Sequence, residues 1–119
     1  MLQLSMTQDK TGVFFLSVFQ YDGVTPQPLS GLTLWFHAAY KADGFVLDKS
    51  SPSSGITITN IAGGADCATL QIEPGDTAAL NLIDGAVASM PCELNLVNGA
   101  ESYELASGFL IVNANVGTP

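Results

Sequence analysis

His37 is the single imidazole in this sequence, and Cys67 and Cys92 are its two thiols. A hydrolytic triad would set His37 beside a nucleophile and an acid, but no Gly-x-Ser-x-Gly nucleophile elbow occurs. A zinc site would draw on His37, Cys67 and Cys92, which lack the paired spacing that such sites use. The acids are scattered and form no Asp-x-Asp-x-Asp loop for calcium. Gly63-Gly64 is not followed by the Lys-Ser/Thr that completes a phosphate cradle. The expectation is no catalytic residue, no cofactor and no metal, with His37 an ordinary surface residue of a strand. An enzyme would need a partner chain to supply the missing groups. Trp35 is the residue whose placement asks for more. An outward tryptophan on a strand serves as an anchor in an interface or as a stacking platform for a sugar, unless a loop covers it. Phe15, Phe19, Tyr21 and Phe45 share that ambiguity.

Charge narrows the partners. Eleven acids face three lysines, Lys10, Lys41 and Lys49, and there is no arginine, for a net charge of −8. Nucleic acid and anionic membranes are poor partners for such a chain, because both need clustered cations. An acidic, self-repelling surface follows, with a basic protein surface as the natural counterpart. The opening MLQLSMTQDK has neither a basic start nor a long apolar core, so no secretory signal is expected. The longest apolar run, Val13–Phe19, is too short to span a bilayer as a helix. The cysteines fall out of phase. Cys92 shares a face with Leu94 and Leu96, whereas Cys67 shares one with Thr69 and Gln71. A bridge between sheets needs both side chains inward, so two free thiols are expected.

The elements that must position these residues are read from turns and alternation. Asp22-Gly23, Asp43-Gly44, Asp84-Gly85 and Asn98-Gly99 suit turns that need positive φ, and Gly63-Gly64 adds another. Between them strands are predicted at about 13–20, 32–41, 45–49, 56–61, 67–73, 92–97, 101–105 and 108–114. The pattern is one all-β domain over 1–119, an antiparallel β-sandwich. In 32–40 Leu32, Leu34, Phe36 and Ala38 share one face, while Thr33, Trp35 and His37 share the other. Val13–Phe19 and Phe109–Val112 are apolar on both faces, more than a lone two-sheet sandwich requires. That excess predicts that an outer face is covered by something outside this chain.

One stretch departs from alternation. In LQIEPGDTAALNL (70–82) a Pro-Gly break precedes Asp-Thr-Ala-Ala-Leu, the start of a helix. A single helical turn near 74–80 lets the chain cross between sheets. Asp76 or Thr77 would satisfy free N–H groups, Ala78 and Ala79 would lie on the sheet ends, and Leu80 would plug the core.

The order Gly55-Ile56-Thr57-Ile58, Cys67–Glu73, Pro74–Leu80, Glu93–Leu96, Asn98-Gly99, Tyr103–Leu105 and Ser107–Val112 resembles the immunoglobulin-like β-sandwich proteins of tailed phages and prophages. The N-terminal modules of baseplate upper proteins are among them. The likeness covers roughly 30–114. Family members often carry Arg where this chain has His37-Ala38-Ala39, and an aromatic where it has Cys92. The resemblance implies an immunoglobulin-like sandwich of about 7–8 strands and a non-enzymatic structural role in the virion. The protein would be assembled in the bacterial cytoplasm, as a baseplate, tail or neck adaptor that self-associates or joins other virion proteins. The alternative it allows is a capsid-decoration or host-surface carbohydrate-binding module. Trp35, Phe15 and Phe19 are the residues expected at the contact.

Overall fold

The computed structural model describes residues 2–18, 25, 27–29, 31–51, 54–59, 66–80, 82 and 86–114. The strands are β1 (Leu2–Thr7), β2 (Gly12–Ser17), β3 (Thr33–Tyr40), β4 (Phe45–Ser50), β5 (Ile56–Thr59), β6 (Cys67–Ile72), β7 (Val87–Asn98) and β8 (Glu101–Asn113). A single helical turn, α1 (Pro74–Thr77), stands between β6 and β7. The strands form a five-stranded sheet in the order β1-β8-β7-β3-β4 and a three-stranded sheet in the order β2-β6-β5. The second, sixth and fifth strands thus face a sheet built on the third, seventh and eighth. This is the strand order of an immunoglobulin-type sandwich.

Alternation places the core where the sequence implies. Leu34, Phe36 and Ala38 are buried on β3, as are Ala68, Leu70 and Ile72 on β6 and Met90, Leu110 and Val112 on the long hairpin. Trp35 and His37 lie on the opposite face of β3, half-buried. The Asp43-Gly44 and Asn98-Gly99 pairs close the β3–β4 and β7–β8 hairpins, with φ of 67° at Gly44 and 61° at Gly99. Both values lie in the left-handed region that glycine enters without strain. The turns expected at Asp22-Gly23, Gly63-Gly64 and Asp84-Gly85 lie outside the described residues.

Two features differ from the reading of the sequence. Leu2–Thr7, not expected as a strand, pairs in parallel with Gly108–Asn113. One edge of an otherwise antiparallel sandwich is therefore parallel. The strands expected separately at 101–105 and 108–114 are one strand, β8, with a bulge at Leu105, where the pairing shifts between Leu94–Ala106 and Asn95–Glu104. Gly108 marks no break. A Cβ there would stand 1.7 Å from the Leu2 carbonyl oxygen, so the glycine admits the β1 backbone.

The helical turn is shorter than the expected 74–80, and its N-cap is Glu73, three residues before Asp76, whose carboxylate does accept a free N–H as expected. Glu73 precedes it, and its N–H donates to the Asp76 carboxylate at 2.7 Å, while the Asp76 N–H donates to the Glu73 carbonyl at 3.0 Å. Leu80 does enter the core, but Ala78 and Ala79 are exposed and do not cover the sheet ends. The turn after β1 does that work. The buried Gln8 amide donates to the Thr77 carbonyl at 3.1 Å and to the Leu80 carbonyl at 2.7 Å. The Asp9 N–H donates to Thr77 Oγ1 at 3.0 Å. Asp9 sits at φ 61°, a conformation that aspartate tolerates better than most residues. α1 is thus architecture. It carries the chain between sheets and is bolted to the β1–β2 turn.

Candidate interaction surfaces

The outer face of the five-stranded sheet is set by register. His37 lies opposite Asp48 on β4 and opposite Glu93 on β7, and Glu93 lies opposite Ser107 on β8. The next row is apolar. Ala39 lies opposite Val46, and Pro91 lies opposite Phe109, which in turn pairs with Gln3 on β1. Val46 is 56% exposed and Phe109 42%. His37, Ala39, Pro91, Glu93, Ser107 and Phe109 line an open groove. One row offers charge and its neighbour offers apolar surface, a mixture common at protein interfaces.

Within the charged row, His37 Nδ1 and Asp48 Oδ1 are 2.5 Å apart. The Trp35 and His37 rings are stacked obliquely, with centroids 5.3 Å apart. An imidazole held by a carboxylate supplies two of the three members of a catalytic triad. The residues directly across from His37 on both neighbouring strands are acids, however, so no hydroxyl or thiol stands opposite it. Among the described residues no three His, Cys, Asp or Glu side chains come together as metal ligands. Of the three lysines, Lys49 is drawn to Asp76 at 2.7 Å and ties β4 to α1.

The outer face of the three-stranded sheet is different. Phe15, 76% exposed, lies opposite Thr69, which lies opposite Thr57. Val13 lies opposite Gln71, and Ser17 opposite Cys67. No charged side chain occurs on β2, β5 or β6.

Of the three residues expected at a contact, Phe15 is fully presented and Trp35 is half-buried against His37. They stand on different sheets, so one partner surface does not reach both by a single face. Phe19 lies outside the described residues. Phe45, ambiguous in the sequence, points into the core. Phe109, Val46 and Pro91, which the structure leaves exposed, were not among the residues expected at a contact. Their signal was the two-faced apolarity of 109–112 together with the cross-strand register, and register is not visible in a linear sequence.

Both cysteines are free thiols, Cys92 buried and Cys67 half-buried. Burial pushes the Cys92 thiol up to about 11. The Tyr103 phenol, hydrogen-bonded to Glu101 and close to its charge, is also held above its ordinary value.

No protein-family model matches the chain, and no curated protein matches it in a sequence search.

Proposed function

We propose that this protein is a non-enzymatic structural module of a tailed-phage particle, acting as a baseplate, tail or neck adaptor that joins virion proteins through its solvent-facing strands. The observation that carries the reading is the pair of apolar cross-strand contacts Ala39–Val46 and Pro91–Phe109 on the outer face of the five-stranded sheet, beside the Asp48–His37–Glu93 row. A chain with a net charge of −8 has little reason to leave such side chains in water unless a neighbour covers them. That neighbour should pair cations with Asp48 and Glu93 and apolar surface with Phe109 and Val46. The virion itself enters through the order of segments from Gly55 to Val112, which resembles that of phage sandwich proteins. Mass spectrometry of purified particles from the phage or prophage that encodes the chain tests the reading. A fixed ratio of this chain to the other tail proteins is expected, and its absence from intact particles would overturn the role.

One observation favours a second reading, a decoration or carbohydrate-binding module. Trp35, the one tryptophan, stands on the same face as the Asp48 and Glu93 carboxylates, and aromatic rings beside acceptors are what sugars stack on. Glycan binding that is lost in Trp35→Ala, with particle incorporation retained, would put this reading first.

A further inference from the structure

β2 differs from the other strands in that none of its large apolar side chains is fully withdrawn from water. Val13 and Phe15 face out and are exposed. Phe14 and Leu16 face in, opposite the fully buried Leu70 and Ala68, yet remain only half-buried. Topology supplies the cause. The first strand, which could have covered β2, is laid on β8 in the other sheet instead. Among the described residues no strand pairs with the far edge of β2, and the sandwich stays open along it. Edge strands are normally guarded by charge, proline or a bulge. Gly12-Val13-Phe14-Phe15-Leu16-Ser17 has none of these.

The chemistry of the surroundings selects the occupant. A basic partner would find no acid on β2, β5 or β6 themselves to attract it, the exposed Glu73 that bonds Gln71 standing past the end of β6. A second copy of this chain, although it carries −8 overall, would meet no like charge on the strands of this sheet. We infer that β2 is a two-fold pairing edge. It adds antiparallel to β2 of a second copy, fuses two three-stranded sheets into one of six strands, and brings Val13 and Phe15 of each copy against the other. A two-fold axis makes such a contact isologous, so one self-complementary strand suffices. The inference rests on the assembly role proposed above and names the partner for one of its surfaces.

Charge makes the association distinctive. The copies repel at long range and attract only at the uncharged edge, so added salt strengthens the dimer, whereas a contact between opposite charges would weaken. The test is light-scattering mass of the full chain across concentration at two salt levels, for wild type, Phe15→Lys and Phe109→Lys. Phe15 is exposed, so Phe15→Lys keeps the fold, and circular dichroism checks this. Wild type is expected at twice the 12.4 kDa chain mass, more completely at high salt. Phe15→Lys is expected to raise the dissociation constant about tenfold or more, and Phe109→Lys to leave it unchanged. Amide exchange in wild-type 12–17 should also slow as concentration rises. A single-chain mass at every concentration and both salts would overturn the inference. So would a dimer lost in Phe109→Lys but kept in Phe15→Lys. Either result leaves the assembly role standing if the chain is found in particles, whereas absence from particles removes that role whatever β2 does.

Discussion

On the outer face of the five-stranded sheet, Asp48, His37 and Glu93 stand in one cross-strand row, whereas the strands of the three-stranded sheet carry no charged side chain at all. Both sheets nonetheless leave large apolar groups in water, Phe109 and Val46 on one and Phe15 and Val13 on the other. The difference lies in what each surface can discriminate. Charge beside apolar area selects an unlike partner, because only a complementary pattern relieves the carboxylates. An uncharged strand edge accepts any extended backbone, and two copies of itself satisfy it symmetrically. The open edge of β2 goes back to one topological choice, the placing of β1 on β8.

The strongest way to break the contrast is to prise β1 away. In Gly108→Ala the new Cβ would overlap the Leu2 carbonyl, a backbone atom that no side-chain rotation can move aside. Overpacking of this kind costs about 3 kcal/mol or more. Urea unfolding should register the loss. Amide exchange should show Leu2–Thr7 deprotected while β5 and β6 hold, since those strands never touch the substituted position in the ladder.

A smaller loss tests the bolt at the other end of the same strand. Gln8→Ala removes both amide hydrogen bonds and leaves the Thr77 and Leu80 carbonyls without them inside the corner. The expected cost is about 1–3 kcal/mol, read as a lower urea midpoint at unchanged m. If stability does not change, the corner is held by α1 alone and β1 is an independent appendage.

These two positions also show what the sequence made legible. The core faces of β3 and β6 followed from alternation alone, because burial on one face of a sheet imposes period two. The helical turn was visible in Pro74-Gly75 for the same local reason. β1 was not, although Leu2, Leu4 and Met6 alternate, because no turn signal precedes it and its partner lies at the far end of the chain. The predicted gap fell at Ala106-Ser107, where the structure has one continuous strand with a bulge at Leu105, and the role of Gly108 in admitting the β1 backbone has no signature in one dimension. The cap was placed at Asp76 or Thr77 rather than Glu73, since a capping box is reciprocal and either end reads as its start. Trp35 was legible as facing away from Leu34 and Phe36, whereas the two-faced apolarity of 13–19 left Phe15 ambiguous, and their separation onto two sheets is a fact of topology.

The two cysteines sharpen the comparison chemically. Cys67 reaches the uncharged outer face, while Cys92 lies under the five-stranded sheet. A maleimide should label Cys67 in the native protein well before Cys92, and both alike in urea. The unfolded Cys92 thiol loses its proton near 9.0, but the folded one keeps it to about 11. Between those values the unfolded state binds fewer protons, so stability is intact below about pH 9 and falls as pH rises toward 11. Cys92→Ser should abolish this loss, and urea titrations at pH 8 and 10.5 would show it. An unchanged pH dependence in Cys92→Ser would place the thiol in water.

The smallest expected effect belongs to the charged row and is the most selective. The His37 and Asp48 side chains are 32% and 50% exposed, so the hydrogen bond between them contributes at most about 1 kcal/mol. Asp48→Asn should therefore barely move the urea midpoint, and it should leave any self-association through β2 untouched. Its consequence is local. His37 loses the carboxylate that orients it, and the ring stacked on it is the chain's one tryptophan, so the emission of Trp35 should change although the fold does not. The same variant removes one of the acids, with Glu93 and Glu104, that a cation-bearing neighbour would meet on this face, and salt should then weaken that contact less than in wild type. If Asp48→Asn abolished dimerisation instead, the two surfaces would be one interface, and the division of labour between the sheets would fail.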